Sequence, residues 1–116
     1  MQMSFASYIL VIGGKLMAQI PIIGKDGKPV RYAYLDGENL KFEFEYYARD
    51  ENEGDYEVIQ TVSPDEFPNL ANRFGLDPKS DPLSMAQQIS DLGRGEELKD
   101  ALNSKAIKCE LFTWRS

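Results

Sequence analysis

The chain of 116 residues has no histidine and one cysteine. Without imidazole there is no base for a Ser-His-Asp arrangement and no histidine metal ligand. A lone thiol gives neither an intramolecular disulfide nor a cysteine-pair zinc site. Long apolar runs are missing too, since nothing approaches the roughly 20 residues that span a bilayer as a helix. The apolar patch from Tyr8 to Ile12 has no positive segment before it and is broken by Gly13, Gly14 and Lys15, so it lacks the form of a secretory signal. These absences predict a cytoplasmic protein with no enzymatic activity, no metal and no cofactor. Met17 is a second candidate start, which would make residues 1–16 an extension.

The chain has 42% hydrophobic and 11% aromatic residues, enough for one core and one domain over 1–116. Its formal charge of −6 is unevenly spread. From Asp36 to Glu66 there are eleven carboxylates against Lys41 and Arg49, a local balance of −9 that leaves +3 for the remainder. Such a field repels nucleic acid and anionic membrane, whose capture needs clustered Lys and Arg, and it speeds encounter with a basic protein. Acidic residues of this kind also serve to keep a small domain soluble.

Hydrophobic period divides the chain in two. From about Ala18 to Val62 apolar residues alternate with polar ones, and from Ser63 to Ser104 they recur at helical spacing. Gly24-Lys25-Asp26-Gly27 and Asp36-Gly37 are hairpin signals between the runs Ile20 to Ile23, Val30 to Leu35 and Leu40 to Ala48. In the third run Leu40, Phe42, Phe44 and Tyr46 share one face, and Lys41, Glu43, Glu45 and Tyr47 share the other, which reads as wet. Tyr56 to Val62 continues the sheet after the acidic loop 50–54. Ser63-Pro64-Asp65-Glu66 has the order of a capping box before a helix carrying Phe67, Leu70, Ala71 and Phe74 and stopping at Gly75. Asp81-Pro82 opens a second helix with Leu83, Ala86, Ile89 and Leu92 inward. Gly95 to Asn103 is a third, with Leu98, Ala101 and Leu102 inward. Ala106 to Trp114 alternates again, placing Ile107, Cys109 and Leu111 inside. The predicted architecture is α+β: an antiparallel sheet of four to six strands with two or three short helices packed on one face.

Few constellations carry chemistry. Glu43 and Glu45, two apart on a strand, stand about 7 Å from each other, a spacing open to acid–base work, but a small half-open sheet offers no deep cleft. Asp50-Glu51-Asn52-Glu53-Gly54-Asp55 has the acidity of a calcium loop. It lies between strands rather than helices, so it reads as a solvated hairpin tip rather than a calcium site. Gly13-Gly14-Lys15 lacks the remaining glycine spacing and hydroxyl of a phosphate loop. Cys109 reads as a small buried side chain. Tyr47 and Trp114 are the aromatic residues placed to act as apolar anchors among charges.

A small acidic domain without histidine, with an early meander, short capped helices and a closing Cys109-Glu110-Leu111-Phe112-Thr113-Trp114 strand, resembles the bacterial immunity proteins. That class neutralises contact-dependent growth inhibition toxins and other polymorphic toxins. The resemblance covers roughly Ile20 to Trp114 and carries over no site residues. It implies a cytosolic protein that binds a cognate toxin domain, commonly a basic nuclease, at the active site or a neighbouring surface. Charge mimicry would then place Asp50, Glu51, Glu53, Asp55 and Glu57 first at the interface, and Glu43, Glu45 and Tyr47 next. The alternative is an acidic protein-binding or regulatory module with a non-toxin partner, using Phe112 to Trp114 as an edge contact.

Overall fold

Alternating sequence becomes sheet only where each strand finds a neighbour, and here six strands do so in chain order. A computed structural model describes residues 8–12, 15–46 and 56–115, with side chains over 19–44 and 57–113. The strands are β1 (Tyr8–Ile12), β2 (Lys15–Ile23), β3 (Pro29–Asp36), β4 (Asn39–Tyr46), β5 (Tyr56–Val62) and β6 (Glu110–Arg115). All neighbours are antiparallel, in the order β1-β2-β3-β4-β5-β6. A 3-10 turn (Pro64–Glu66) and helices α1 (Phe67–Phe74), α2 (Pro82–Asp91) and α3 (Gly95–Asn103) lie between β5 and β6. The α+β architecture expected from the sequence is the one observed, and strand pairing begins earlier than expected, at Tyr8.

Register sets which side chains meet the helices. Ile22 opposes Arg31, Ala33 opposes Phe42, and Leu40 opposes Val62, so these positions share one face. That face meets Leu70, Phe74, Met85, Ile89, Leu98, Leu102 and Ile107 in one core. Each large side chain fully withdrawn from water contributes about 1.5–3 kcal/mol. Helix α2 packs on β2 and β3, and α3 on β3, leaving the β6 end of the sheet less covered.

Local signals explain the helix ends. The Asp81 carboxylate accepts the Ser84 N–H at 2.9 Å with Pro82 beside it, as a cap requires. Gly75 turns at φ 68°, the left-handed conformation that stops α1. Ser63 departs from the expected capping box: its hydroxyl pairs with the Asp65 carboxylate and makes no cap. Its partner Glu66 reaches elsewhere, accepting from Asn69 Nδ2 at 2.7 Å and from the Lys108 N–H at 3.0 Å. Those contacts, with Asn69 donating to the Ala106 carbonyl at 2.9 Å, tie the approach to β6 onto α1. The last strand therefore starts at Glu110 rather than Ala106. Leu92 also departs from expectation. It caps α2 at 56% exposure because the helix ends at Asp91, before the apolar stripe returns inward.

Side chains of α2 and α3 tie these helices to β2 and to the turn that follows it. The Ser90 hydroxyl donates to the Pro21 carbonyl at 2.9 Å and accepts the Ile23 N–H at 3.0 Å, where the β2–β3 register shifts. The Glu96 carboxylate accepts the Lys25 N–H at 2.9 Å. No helix among the described residues is long and apolar enough to cross a membrane.

Candidate functional site

The face of β4, β5 and β6 turned away from the helices is built by register. Glu45 stands directly opposite Glu57, Glu43 opposite Ile59, and Lys41 opposite Thr61. On the outer side Glu57 faces Trp114, Ile59 faces Phe112 and Thr61 faces Glu110. Side chains at opposed positions of an antiparallel pair lie within about 5.5 Å at Cβ, and like charges there destabilise the sheet. Among the described residues of this face in β4–β6, Lys41 is the one cation, and its ammonium is held by Asp36 at 2.9 Å.

Glu43 corrects the wet-face expectation: it is only 6% exposed. The cause lies one strand away. Tyr34, on the same face and 2% exposed, hydrogen-bonds Glu43, and burial followed by the nearby Glu43 charge pushes the phenol well above its usual pKa. Glu43 is thus a buried partner of Tyr34, while Glu57 is half-buried and Glu110 exposed. Asp50, Glu51, Glu53, Asp55 and Tyr47 lie outside the described residues. Of the expected interface, the structure brings Glu43, Glu45 and Glu57 together.

A second acidic group lies where β5 ends. Asn39, Thr61, Ser63, Asp65, Glu66, Lys108, Cys109 and Glu110 line an open cavity of about 290 Å³. Glu66 is occupied there by Asn69 and the Lys108 N–H. Among the described residues no cluster of His, Cys, Asp or Glu could hold a metal ion. Cys109 is half-buried, its thiol directed to the Leu102 carbonyl at 3.6 Å.

The helix-side face holds a polar chain that the alternation analysis passed over. Arg31 is 4% exposed. Its Nε donates to Gln60 Oε1 at 3.1 Å, its Nη1 to the Val30 carbonyl at 3.0 Å, and its guanidinium lies 5.0 Å from the Phe44 ring centroid. Gln60 Nε2 donates onward to Asn103 Oδ1 at 2.9 Å. Burial lowers the Arg31 pKa from its usual value, against a smaller opposite effect of Cys109. The signal was present: Arg31 and Gln60 occupy inward positions, two residues from Ala33 and Val62, where a polar residue needs a partner. This chain crosses from sheet to α3 and stabilises the fold.

Leu111 and Phe112 are exposed at 59% and 54% on opposite faces of the last strand. For Leu111 this reverses the expected inward position, because β6 is the sheet edge and the helices centre on β2 and β3. Comparison with family models, curated proteins and solved structures finds no match to this chain.

Proposed function

We propose that this chain is a non-enzymatic immunity protein of the cytoplasm that binds and neutralises a basic toxin domain, of nuclease type, through the acidic face of β4 and β5. The observation that supports this reading is the direct opposition of Glu45 and Glu57, with the nearby Lys41 already engaged by Asp36. Opposed glutamates cost stability in the free protein and recover it when a cation lies between them. A nuclease supplies such cations, because it holds phosphate with Lys and Arg. Asp50, Glu51, Glu53 and Asp55 follow β4 in the chain and add to the negative charge of this part of the sequence.

Co-expression with a toxin domain encoded beside the gene tests the proposal. Growth is expected to be protected, and the purified pair is expected to associate tightly at low ionic strength and more weakly as salt rises. Glu57→Lys should weaken the complex about tenfold or more without unfolding the protein, as loss of a close charge pair does. Absence of a complex at low salt, or Glu57→Lys binding as well as the parent, refutes it.

A further inference from the structure

Three side chains stand close together on the outward face of β5 and β6, and no hydrogen bond, ion pair or ring contact among the described residues engages them: Glu57, Glu110 and Phe112. Phe112 is 54% exposed, Glu110 is exposed and Glu57 is half-buried. Register makes them neighbours. Phe112 faces Ile59, Glu110 precedes it by two positions on the same strand, and Glu57 lies diagonally across on β5. Positions two apart on a strand are separated by about 7 Å and diagonal pairs by about 7–8 Å, within reach of one long side chain laid over the ring. Lys41, the described cation of this face in β4–β6, is held by Asp36.

The molecule fills the same constellation elsewhere. Arg94 lies 4.7 Å from the Phe74 ring centroid, and Glu97 accepts from its Nε and Nη2 at 2.8 and 2.7 Å. A guanidinium does both at once, because its planar fork matches a carboxylate while its face rests on an aromatic ring. The ammonium of lysine is a compact, strongly hydrated point charge with no such plane. Around Phe112 the ring and the carboxylates are in place and the cation is not, so charge identifies the occupant as cationic and the ring identifies it as arginine. A second copy does not supply it face to face, since that arrangement would set Glu57 and Glu110 against their own counterparts.

We infer that Phe112 is the seat of an arginine side chain of the partner protein, its guanidinium lying on the ring and pairing with the flanking carboxylates. This deepens the proposed reading and rests on it for the partner's being a basic protein. It adds that the face selects arginine over lysine.

The test uses the full chain and two blocked peptides of equal charge, acetyl-Gly-Arg-Gly-Arg-Gly-amide and its Lys-for-Arg counterpart, each titrated at low salt and followed by NMR. The expected result is saturable movement of the Phe112 ring and Glu57 signals, with the arginine peptide bound about threefold to fivefold more tightly than the lysine peptide. Phe112→Leu keeps an apolar side chain at this exposed position and should abolish the preference, while Glu57→Gln should weaken both peptides. An unchanged amide spectrum elsewhere shows that each variant is folded. Equal binding of the two peptides, or a preference that survives Phe112→Leu, would overturn the arginine seat and leave the acidic-face reading intact. Absence of binding by either peptide up to about 10 mM would overturn it too, as would a peptide-free dimer in sedimentation that Phe112→Leu dissociates. An arginine preference at Phe112 in a protein that binds no toxin domain would support the seat and defeat the toxin reading.

Discussion

Ser90→Ala tests the join between helices and sheet. Ser90 is 7% exposed, and its hydroxyl bonds two backbone groups of β2, the Pro21 carbonyl and the Ile23 N–H. Alanine removes a donor 2.9 Å from the Pro21 oxygen and an acceptor 3.0 Å from the Ile23 nitrogen. A buried backbone group left without a partner costs about 1–3 kcal/mol. Pro21 is buried and Ile23 half-buried, so one full penalty and part of a second apply, about 2–3 kcal/mol in total. With unfolding entropy near 2.1 cal/mol/K per residue, a chain of this length loses about 4 °C of Tm per kcal/mol, or about 8–12 °C. Thermal unfolding by circular dichroism, with a urea titration to confirm an unchanged m-value, gives the number. Gln87→Ala, on the exposed side of the same helix, should move Tm by less than about 2 °C. A Ser90→Ala loss no larger than the control's would refute the bridging argument.

Three further outcomes follow from the same contacts. Gly95→Ala should destabilise by more than about 1 kcal/mol, against the usual helix preference for Ala, because its Cβ would come 2.9 Å from the Ile23 carbonyl oxygen; a raised urea midpoint would contradict that close approach. Tyr34, with its pKa raised, should remain un-ionised in the native protein at about pH 11 by ultraviolet titration. The unfolded chain ionises first, so stability should be full below the ordinary value of 10.0 and fall above it by up to about 1.4 kcal/mol per pH unit; a native transition near 10 would refute the burial of Tyr34 beside Glu43. The Glu97 carboxyl is lowered mainly by its hydrogen bonds from Arg94, at 2.8 and 2.7 Å. Its small stabilisation is present above the ordinary carboxyl range and lost as pH falls through the lowered value. In Arg94→Ala the NMR titration of Glu97 should move upward, and any fall in Tm should come mainly from the lost contacts of Arg94 with the Phe74 carbonyl and ring, since the ion pair itself is exposed.

The helices were legible because their signals are local. Asp81-Pro82 caps α2, Gly75 stops α1, and Leu98, Ala101 and Leu102 are inward, all as the spacing required. The capping box at Ser63 failed because Glu66 found better partners in Asn69 and the Lys108 N–H, forty-two positions along the chain in the latter case. Leu92 failed because periodicity does not show where a helix ends.

In the sheet, alternation by itself determined which residues share a face: Leu40 with Phe42 and Phe44, Glu43 with Glu45. Concentration of charge in the middle third was equally plain without coordinates. Only the tertiary structure decided how much water each face sees. It buried Glu43 against Tyr34, drew Arg31 into the helix side with Gln60 and Asn103, and left Leu111 uncovered at the edge. Side-chain period is a property of one strand and its φ/ψ angles, whereas burial depends on what the neighbouring strands and helices place over it, and those neighbours come from distant parts of the chain.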